Sequence, residues 1–519
     1  MERLKLPIGI QSFKKIRTGG YAYVDKTRFI QSLVDNGSYY FLSRPRRFGK
    51  SLLLDTIDHA FSGKKEYFLD LYLNTPEASW DFSSVYPVVR ISLGQRINRN
   101  ADELGEYLTH ILSGEAERYN VGHDKSLSPG FQLDLLIKNL YATYQKPVVV
   151  LIDEYDKPIL DAIEDREATR ILRDELKSFY GILKDLDPYL KFVLLTGVSK
   201  FSKTGIFSGL NNLDDITLDP RYSAICGYTH EDLEQVFREY LTGFNPEEIR
   251  EWYNGYSWSG QTVYNPFDIL MLFSKKMFRS YWFETGTPSF LLRLWQKNPR
   301  FPGDFDGLIA GEDLLGSFDV DNIRVETLLF QAGYLTIKDW TSDPVRGFQC
   351  TLGYPNIEVR TSLNLLFCQT LSGFPVSGMR NRLFDVLEKN DGEGLKDLIH
   401  SFFASISHDW YRKNQLSSFE GYYASIMYTI FASLGYHVIA EDTTNKGRLD
   451  LTVITTLAAW IFEFKVKREK SPEEKSPLEQ IKRKGYSEKY KAKGLKIWEI
   501  GIVFDPETRN IIEWDQRSG

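Results

Sequence analysis

Through roughly the first 220 residues, short apolar runs alternate with stretches whose apolar positions recur at helical spacing. The runs Tyr39–Ser43, Val85–Ser92, Pro147–Ile152 and Leu190–Thr196 predict strands, and Ser51–Phe61, Ala101–Arg118 and Ala168–Asp185 predict helices. Val148–Ile152 and Phe192–Leu195 have no polar position, the pattern of a strand buried on both faces. Strands spaced by helices predict an α/β fold with a parallel sheet covered on both sides. From about Tyr228 the texture changes to helices rich in Trp, Tyr and Phe, as in HEDLEQVFREYL and NPFDILMLFSKKMF, with short β-like pieces at Tyr334–Lys338 and Phe348–Leu352. A third texture starts near His400: an aromatic helix, Phe419–Leu434, strands Asp450–Ile454 and Ala459–Val466, then a lysine-rich helix. These shifts predict domains at 1–225, 226–400 and 401–519, with no internal repeat or low-complexity tract.

Composition narrows the class. A chain of 519 residues exceeds one compact core, and 42% hydrophobic with 26% charged residues is ordinary for a globular protein. The formal charge of -6 gives no global attraction to nucleic acid, so any such contact is local. Cys226, Cys350 and Cys368 are an odd, scattered set that makes neither a disulfide framework nor a metal knot, which fits a reducing compartment. Seven dispersed histidines argue against a histidine metal centre. MERLKLPIGIQSF lacks the apolar core of a secretory signal, and no run approaches the ~18 apolar residues of a membrane span. The expectation is a soluble, cytoplasmic protein with no membrane partner.

The stretch FLSRPRRFGKSLLL has the order of a phosphate-binding loop: a strand, a turn and a helix whose first free N–H groups face the phosphates. In that reading Gly49 permits the close turn, Lys50 reaches the β- and γ-phosphates, and the Ser51 hydroxyl ligates Mg²⁺. A basic turn before a helix fits the same residues. The run VVVLIDEYD then carries Asp153 to the end of a buried strand, where ligands of parallel sheets gather. Asp153 would hold Mg²⁺ through its water shell, and Glu154 would polarise an attacking water. In FVLLTGVSKFS, Thr196 or Ser199 ends another apolar strand within reach of a γ-phosphate, though a plain strand terminus explains them equally.

The order LPIGIQSF, YVDKTRFI, RPRRFGKSL and LIDEYDKP resembles a bacterial and archaeal family of AAA-ATPase-like proteins fused to a PD-(D/E)XK nuclease domain. WYNGYSW and VYNPFDIL match the same family, so the resemblance spans nearly the whole chain. It implies an N-terminal AAA-like P-loop sheet, a helical middle serving as a lid, and a C-terminal α/β nuclease-like domain. RPRRFGK is that family's usual form of the loop, so arginine in place of the first glycine is a family habit. Arg44, Arg46 and Arg47 add charge suited either to phosphate or to a protein partner. The resemblance also places Tyr23–Thr27 near the nucleotide, although packing explains that segment as well. For the aromatic middle, stacking on bases competes with core packing, and helical spacing with Leu and Ile favours the core.

In GRLDLTVIT and IFEFKVK, Asp450 and Glu463 lie 13 positions apart on consecutive strands, and Lys465 follows Glu463 by two. Residues two apart on a strand share a face, so Glu463 and Lys465 project together while Phe464 turns into a core. Two carboxylates on adjacent strands suit a hard divalent cation, Mg²⁺ or Mn²⁺, and a neighbouring lysine can orient water and neutralise a pentavalent phosphate. A surface salt-bridge pair on a hairpin has the same spacing. The resemblance assigns Asp450 and Glu463 as metal ligands and Lys465 as the catalytic lysine, with Glu420 as a further metal acid and Gln480 and Tyr486 in support. It departs from the pattern at Leu449, where proline is usual. Twelve Lys or Arg against five Asp or Glu between Lys465 and Lys496 leave a local excess of seven, a flank suited to a phosphate backbone or simply a solvated helix face. The expectation is an ATP-binding protein, an ATPase coupled to a metal-dependent nuclease on DNA or RNA. The alternative is a nucleotide-regulated switch whose nuclease-like domain only recognises a partner. A homo-oligomer is open under either.

Overall fold

A computed structural model describes residues 3–201, 206–210, 212–285, 289–297, 300–315, 324–406, 420–444, 447–467, 476–491, 494–508 and 510–519. The chain divides into two compact units. One comprises Met1–Leu291 with Gly307–Asn356, and the other Leu292–Asp306 with Ile357–Gly519.

The first unit is built on strands β1 (Tyr39–Ser43), β2 (Val88–Ser92), β3 (Val148–Asp153), β4 (Leu190–Gly197) and the short β5 (Asp214–Asp215). They form one parallel sheet in the order β2-β3-β4-β1-β5. Every residue of β3 is buried, as its unbroken apolar run requires, because helices cover both faces of a parallel sheet. The expected helices are present as Lys50–Phe61, Ala101–Tyr119 and Arg166–Asp185. Side-chain caps fix the last two: Asn100 accepts from the Glu103 N–H, and Asp165 from those of Glu167 and Ala168. A further helix, Pro129–Tyr144, starts with proline at its first turn and buries Leu133, Leu136, Ile137 and Leu140 on one face. The sheet order sets the C-terminal ends of β3, β4 and β1 side by side, so the loops after all three meet at one edge.

The aromatic helices beyond 228 make their own core. Leu233, Phe237, Ile249, Tyr253, Tyr264, Ile269 and Phe273 pack with Ala22 and Val24. The β-like pieces of the middle are an antiparallel sheet of β6 (Leu308–Gly311), β7 (Thr336–Asp343) and β8 (Gly347–Gly353), in the order β6-β8-β7.

In the second unit, β9 (His437–Thr444), β10 (Gly447–Ile454), β11 (Ala458–Val466), β12 (Lys496–Asp505) and β13 (Asn510–Ser518) form a mixed sheet ordered β13-β12-β11-β10-β9. Only the β11–β12 pair is parallel, and the crossover between them contains the helix Pro477–Lys484. The aromatic helix Glu420–Ala432 lies on this sheet, with Tyr423 stacked on Phe504 at 4.2 Å and Phe431 against Phe462 at 5.3 Å. The three cysteines are buried and free, and among the described residues no helix is long and apolar enough to cross a membrane.

Candidate functional site

The loop after β1 ends on Gly49, which has φ +97° and caps the N-terminus of Lys50–Phe61. That left-handed conformation is where only glycine is relaxed, and it lets the chain turn directly into the helix. The first free N–H groups of the helix therefore point into the space at the sheet edge. Lys50 is buried, and its Nζ donates to the carbonyls of Arg44 (2.8 Å) and Pro45 (3.0 Å). Burial lowers the affinity of this ammonium for its proton, with Asp153 opposing that effect.

Ser51, Asp153 and Thr196 come together from three different elements. Ser51 Oγ donates to Asp153 Oδ2 at 2.5 Å, and Thr196 Oγ1 donates to Asp153 Oδ1 at 2.8 Å. Asp153 is thus gripped by the helix after β1 and by the end of β4. Its Oδ1 also accepts from the Glu154 N–H at 3.0 Å. Glu154 adopts φ +53°, and its carboxylate lies so near Gly94 that a β-carbon there would stand 2.3 Å from Oε2. Burial raises the Glu154 pKa above the usual carboxylate range, and the Asp153 charge adds to that rise. Asp156 is a brace: its Oδ2 accepts from Val198 N (3.0 Å), Ser199 N (2.6 Å) and Ser199 Oγ (2.6 Å) and so fixes the loop after β4. Ser199 is thereby committed to the brace, and Thr196 is the hydroxyl that meets Asp153.

Ser51, Glu154 and Ser199 line a cavity of about 660 Å³, large enough for a nucleotide, whose walls also include Gly49, Lys50, Arg46 and Arg47, while the buried Asp153 and Thr196 connect to that wall through Ser51. Its apolar side comes from parts of the sequence that are far apart: Pro7 and Ile10 near the start, and Tyr228, Pro266, Phe267 and Leu270 in the aromatic middle. LPIGIQSF and VYNPF were visible as motifs, but nothing in one sequence placed them on the same wall. Tyr23–Thr27 is not part of that wall. Asp25 accepts from the N–H groups of Thr27 (2.8 Å) and Tyr72 (2.7 Å), and Lys26 pairs with Asp232 at 2.6 Å, so the segment ties distant parts of the first unit together. The three arginines of the loop also part company. Arg44 is fully buried, donates to the carbonyls of Ser43 (2.8 Å), Thr217 (2.9 Å) and Tyr222 (3.1 Å), and lies 4.2 Å over the Trp258 ring. Arg46 and Arg47 are exposed.

In the second unit Leu451 stands opposite Phe462, so positions 450 and 463 meet one step further along the β10–β11 ladder. Asp450 Oδ2 accepts from the Phe464 N–H at 2.6 Å. Glu463 is buried and accepts from Gln480 Nε2, which arrives on the crossover helix. Lys465 shares the Glu463 face, while Phe464 is buried on the other side against Phe504. The helix reaches Glu463 because the neighbouring strand carries Gly501: a β-carbon there would sit 2.5 Å from Leu478 N. Tyr486 donates to the Arg448 carbonyl at 2.8 Å and is raised in pKa by burial and then by Glu463. Glu420 is the first residue of its helix, and its side chain lies outside the described residues. Lys482 and Arg483 are exposed on the last turn of the crossover helix.

The donor sets fit the cations expected of them. A serine hydroxyl touching an aspartate at a helix N-terminus is an oxygen pair suited to Mg²⁺, which keeps most of its waters. Asp450 and Glu463, at facing positions on β10 and β11, offer a second set of oxygen donors of the kind that Mg²⁺ or Mn²⁺ takes.

Comparison with known proteins agrees with this division. Residues 7–207 match the model of a predicted AAA-ATPase, and residues 418–514 match a PD-(D/E)XK nuclease superfamily model. The chain is 46% identical over 515 residues to a protein of Azotobacter chroococcum mcd 1 described as an uncharacterized protein in the vnfD 5' region, covering 99% of this chain and 98% of that one.

Proposed function

Because the chain belongs to the family of AAA-ATPase-like proteins with a C-terminal PD-(D/E)XK nuclease superfamily domain, we propose that it binds and hydrolyses ATP and couples this to metal-dependent cleavage of nucleic acid phosphodiesters. At the nucleotide, Gly49 and the helix N-terminus receive the phosphates, and Lys50 leaves its two carbonyl partners to pair with the β- and γ-oxygens. Thr196 fixes the Asp153 carboxylate, and Glu154 orients the attacking water. At the phosphodiester, Gln480 holds the Glu463 carboxylate, and Lys465 orients water and neutralises charge that develops on phosphorus. Lys482 and Arg483 contact the backbone without reading its sequence. Ser51 and Asp153 would hold one cation, and Asp450 and Glu463, with Glu420, another. Such a cation neutralises phosphate charge and acidifies a bound water.

The observation that carries this reading is the Ser51–Asp153–Thr196 line of hydrogen bonds, which runs inward from Ser51 on the wall of a nucleotide-sized cavity. The test is purified protein given ATP, Mg²⁺ or Mn²⁺ and a panel of single- and double-stranded DNA and RNA. ATP turnover with metal-dependent cleavage of at least one substrate is expected. Tight ATP binding with neither turnover nor cleavage would favour a nucleotide-regulated switch instead.

A further inference from the structure

The cavity wall carries Arg46, Arg47, Lys50 and Lys157 against Glu154 and Asp161, four cations to two carboxylates. Lys157 and Asp161 neutralise each other at 2.6 Å, which leaves three cations facing one acid. Neither Arg46 nor Arg47 makes an ion pair among the described residues. Burial pushes the Tyr334 hydroxyl, also on this wall, above its usual range, and the neighbouring Arg46 charge opposes that pull. The Arg47 guanidinium lies 4.8 Å over the Phe267 ring on the apolar side of the cavity.

The backbone adds an independent observation. Arg47 has φ +69°, two residues before Gly49 at +97°. Glycine meets such a bend without strain, whereas a residue with a side chain is strained there. The bend curls the loop around the space in front of Lys50, and the arginines stand on its rim. Lys50 and the free N–H groups can satisfy a diphosphate. A terminal phosphate adds charge and acceptor oxygens, the groups that a guanidinium fork matches.

We propose that Arg46 and Arg47 form a terminal-phosphate clamp supplied by the loop itself, through which the site distinguishes nucleoside triphosphate from diphosphate. This rests on the cavity being the nucleotide site. Arg47 leaves Phe267 to join the phosphate, and the Arg46 backbone is tied to the middle region because its carbonyl accepts from Trp282 Nε1 at 3.1 Å.

The experiment is calorimetric titration of the full chain with Mg²⁺ and either a slowly hydrolysed ATP analogue or ADP. The wild type is compared with Arg46→Ala, Arg47→Ala, the double variant and Arg47→Gly. The double variant is expected to lose at least about tenfold in triphosphate affinity and less than about threefold in ADP affinity, the loss of at least one charge-assisted contact. Arg47→Gly separates clamp from scaffold, because it relaxes the bend: melting temperature is expected to hold or rise while discrimination falls. Equal losses for both nucleotides, or no loss for either, overturn the clamp. A wild type that binds neither nucleotide overturns the nucleotide site beneath it, and the two failures are distinguishable.

Discussion

Arg44 is committed to three carbonyl oxygens and one tryptophan face. Its neighbours two and three positions on reach into a cavity. Residues of one type, close in sequence, therefore hold different jobs because Arg44 is buried whereas Arg46 and Arg47 are exposed. Arg44→Met is expected to destabilise the first unit by about 3 kcal/mol or more, read from denaturant unfolding, since it leaves buried carbonyls without donors. Lys50→Ala acts on ligand as well as on the loop. It should weaken ATP binding by more than about tenfold, because a hydrogen bond to a charged group is worth ~1.5–3 kcal/mol, and also lower the melting temperature, since the Arg44 and Pro45 carbonyls lose their donor. Glu154→Gln should keep ATP bound while turnover falls by about 10²–10⁴-fold, the range for losing a general base. That Arg44 braces carbonyls while Arg46 and Arg47 line the cavity is not visible in the letters RPRRFGK.

The helix Pro477–Lys484 shows how an element places chemistry it does not itself perform. It brings Gln480 to Glu463, and it can do so because Gly501 leaves room for its first turn. Gly501→Val should lift the helix from β12, lowering both the melting temperature and cleavage. Gln480→Ala should reduce cleavage by about 10- to 100-fold, as loss of a ligand-supporting group does, with the melting temperature unchanged. Strands β1, β3 and β4 were legible in sequence to within a residue or two, because each carries a run of consecutive buried apolar residues (Tyr40–Leu42, Val148–Ile152 and Phe192–Leu195). The helix Pro129–Tyr144 went unread although Ser128–Pro129 and its apolar spacing signalled it. Strands β9, β12 and β13 were also unread, since alternating strands near charged loops resemble amphipathic helices over short windows. The motifs that supply Ser51 and Asp153 were legible because one opens a helix and the other ends a strand, and those that supply Asp450 and Glu463 because both lie within strands that the apolar pattern predicts. The apolar cavity wall was not, since Pro7, Tyr228 and Phe267 meet only through tertiary packing.

At the scale of the whole chain, the residues proposed for two phosphate chemistries lie in two units of one polypeptide. Each unit brings its own acids, its own lysine and its own positioning partner, so the two activities should fail separately. Coupling then predicts that ATP changes the cleavage rate of the wild type and leaves that of Lys50→Ala unchanged. The most direct measurement takes wild type, Lys50→Ala and Asp450→Ala in one buffer and records ATP binding and Mn²⁺-dependent polynucleotide cleavage in the same samples. The account predicts that Lys50→Ala loses binding alone and that Asp450→Ala loses cleavage alone. Full cleavage by Asp450→Ala would contradict it.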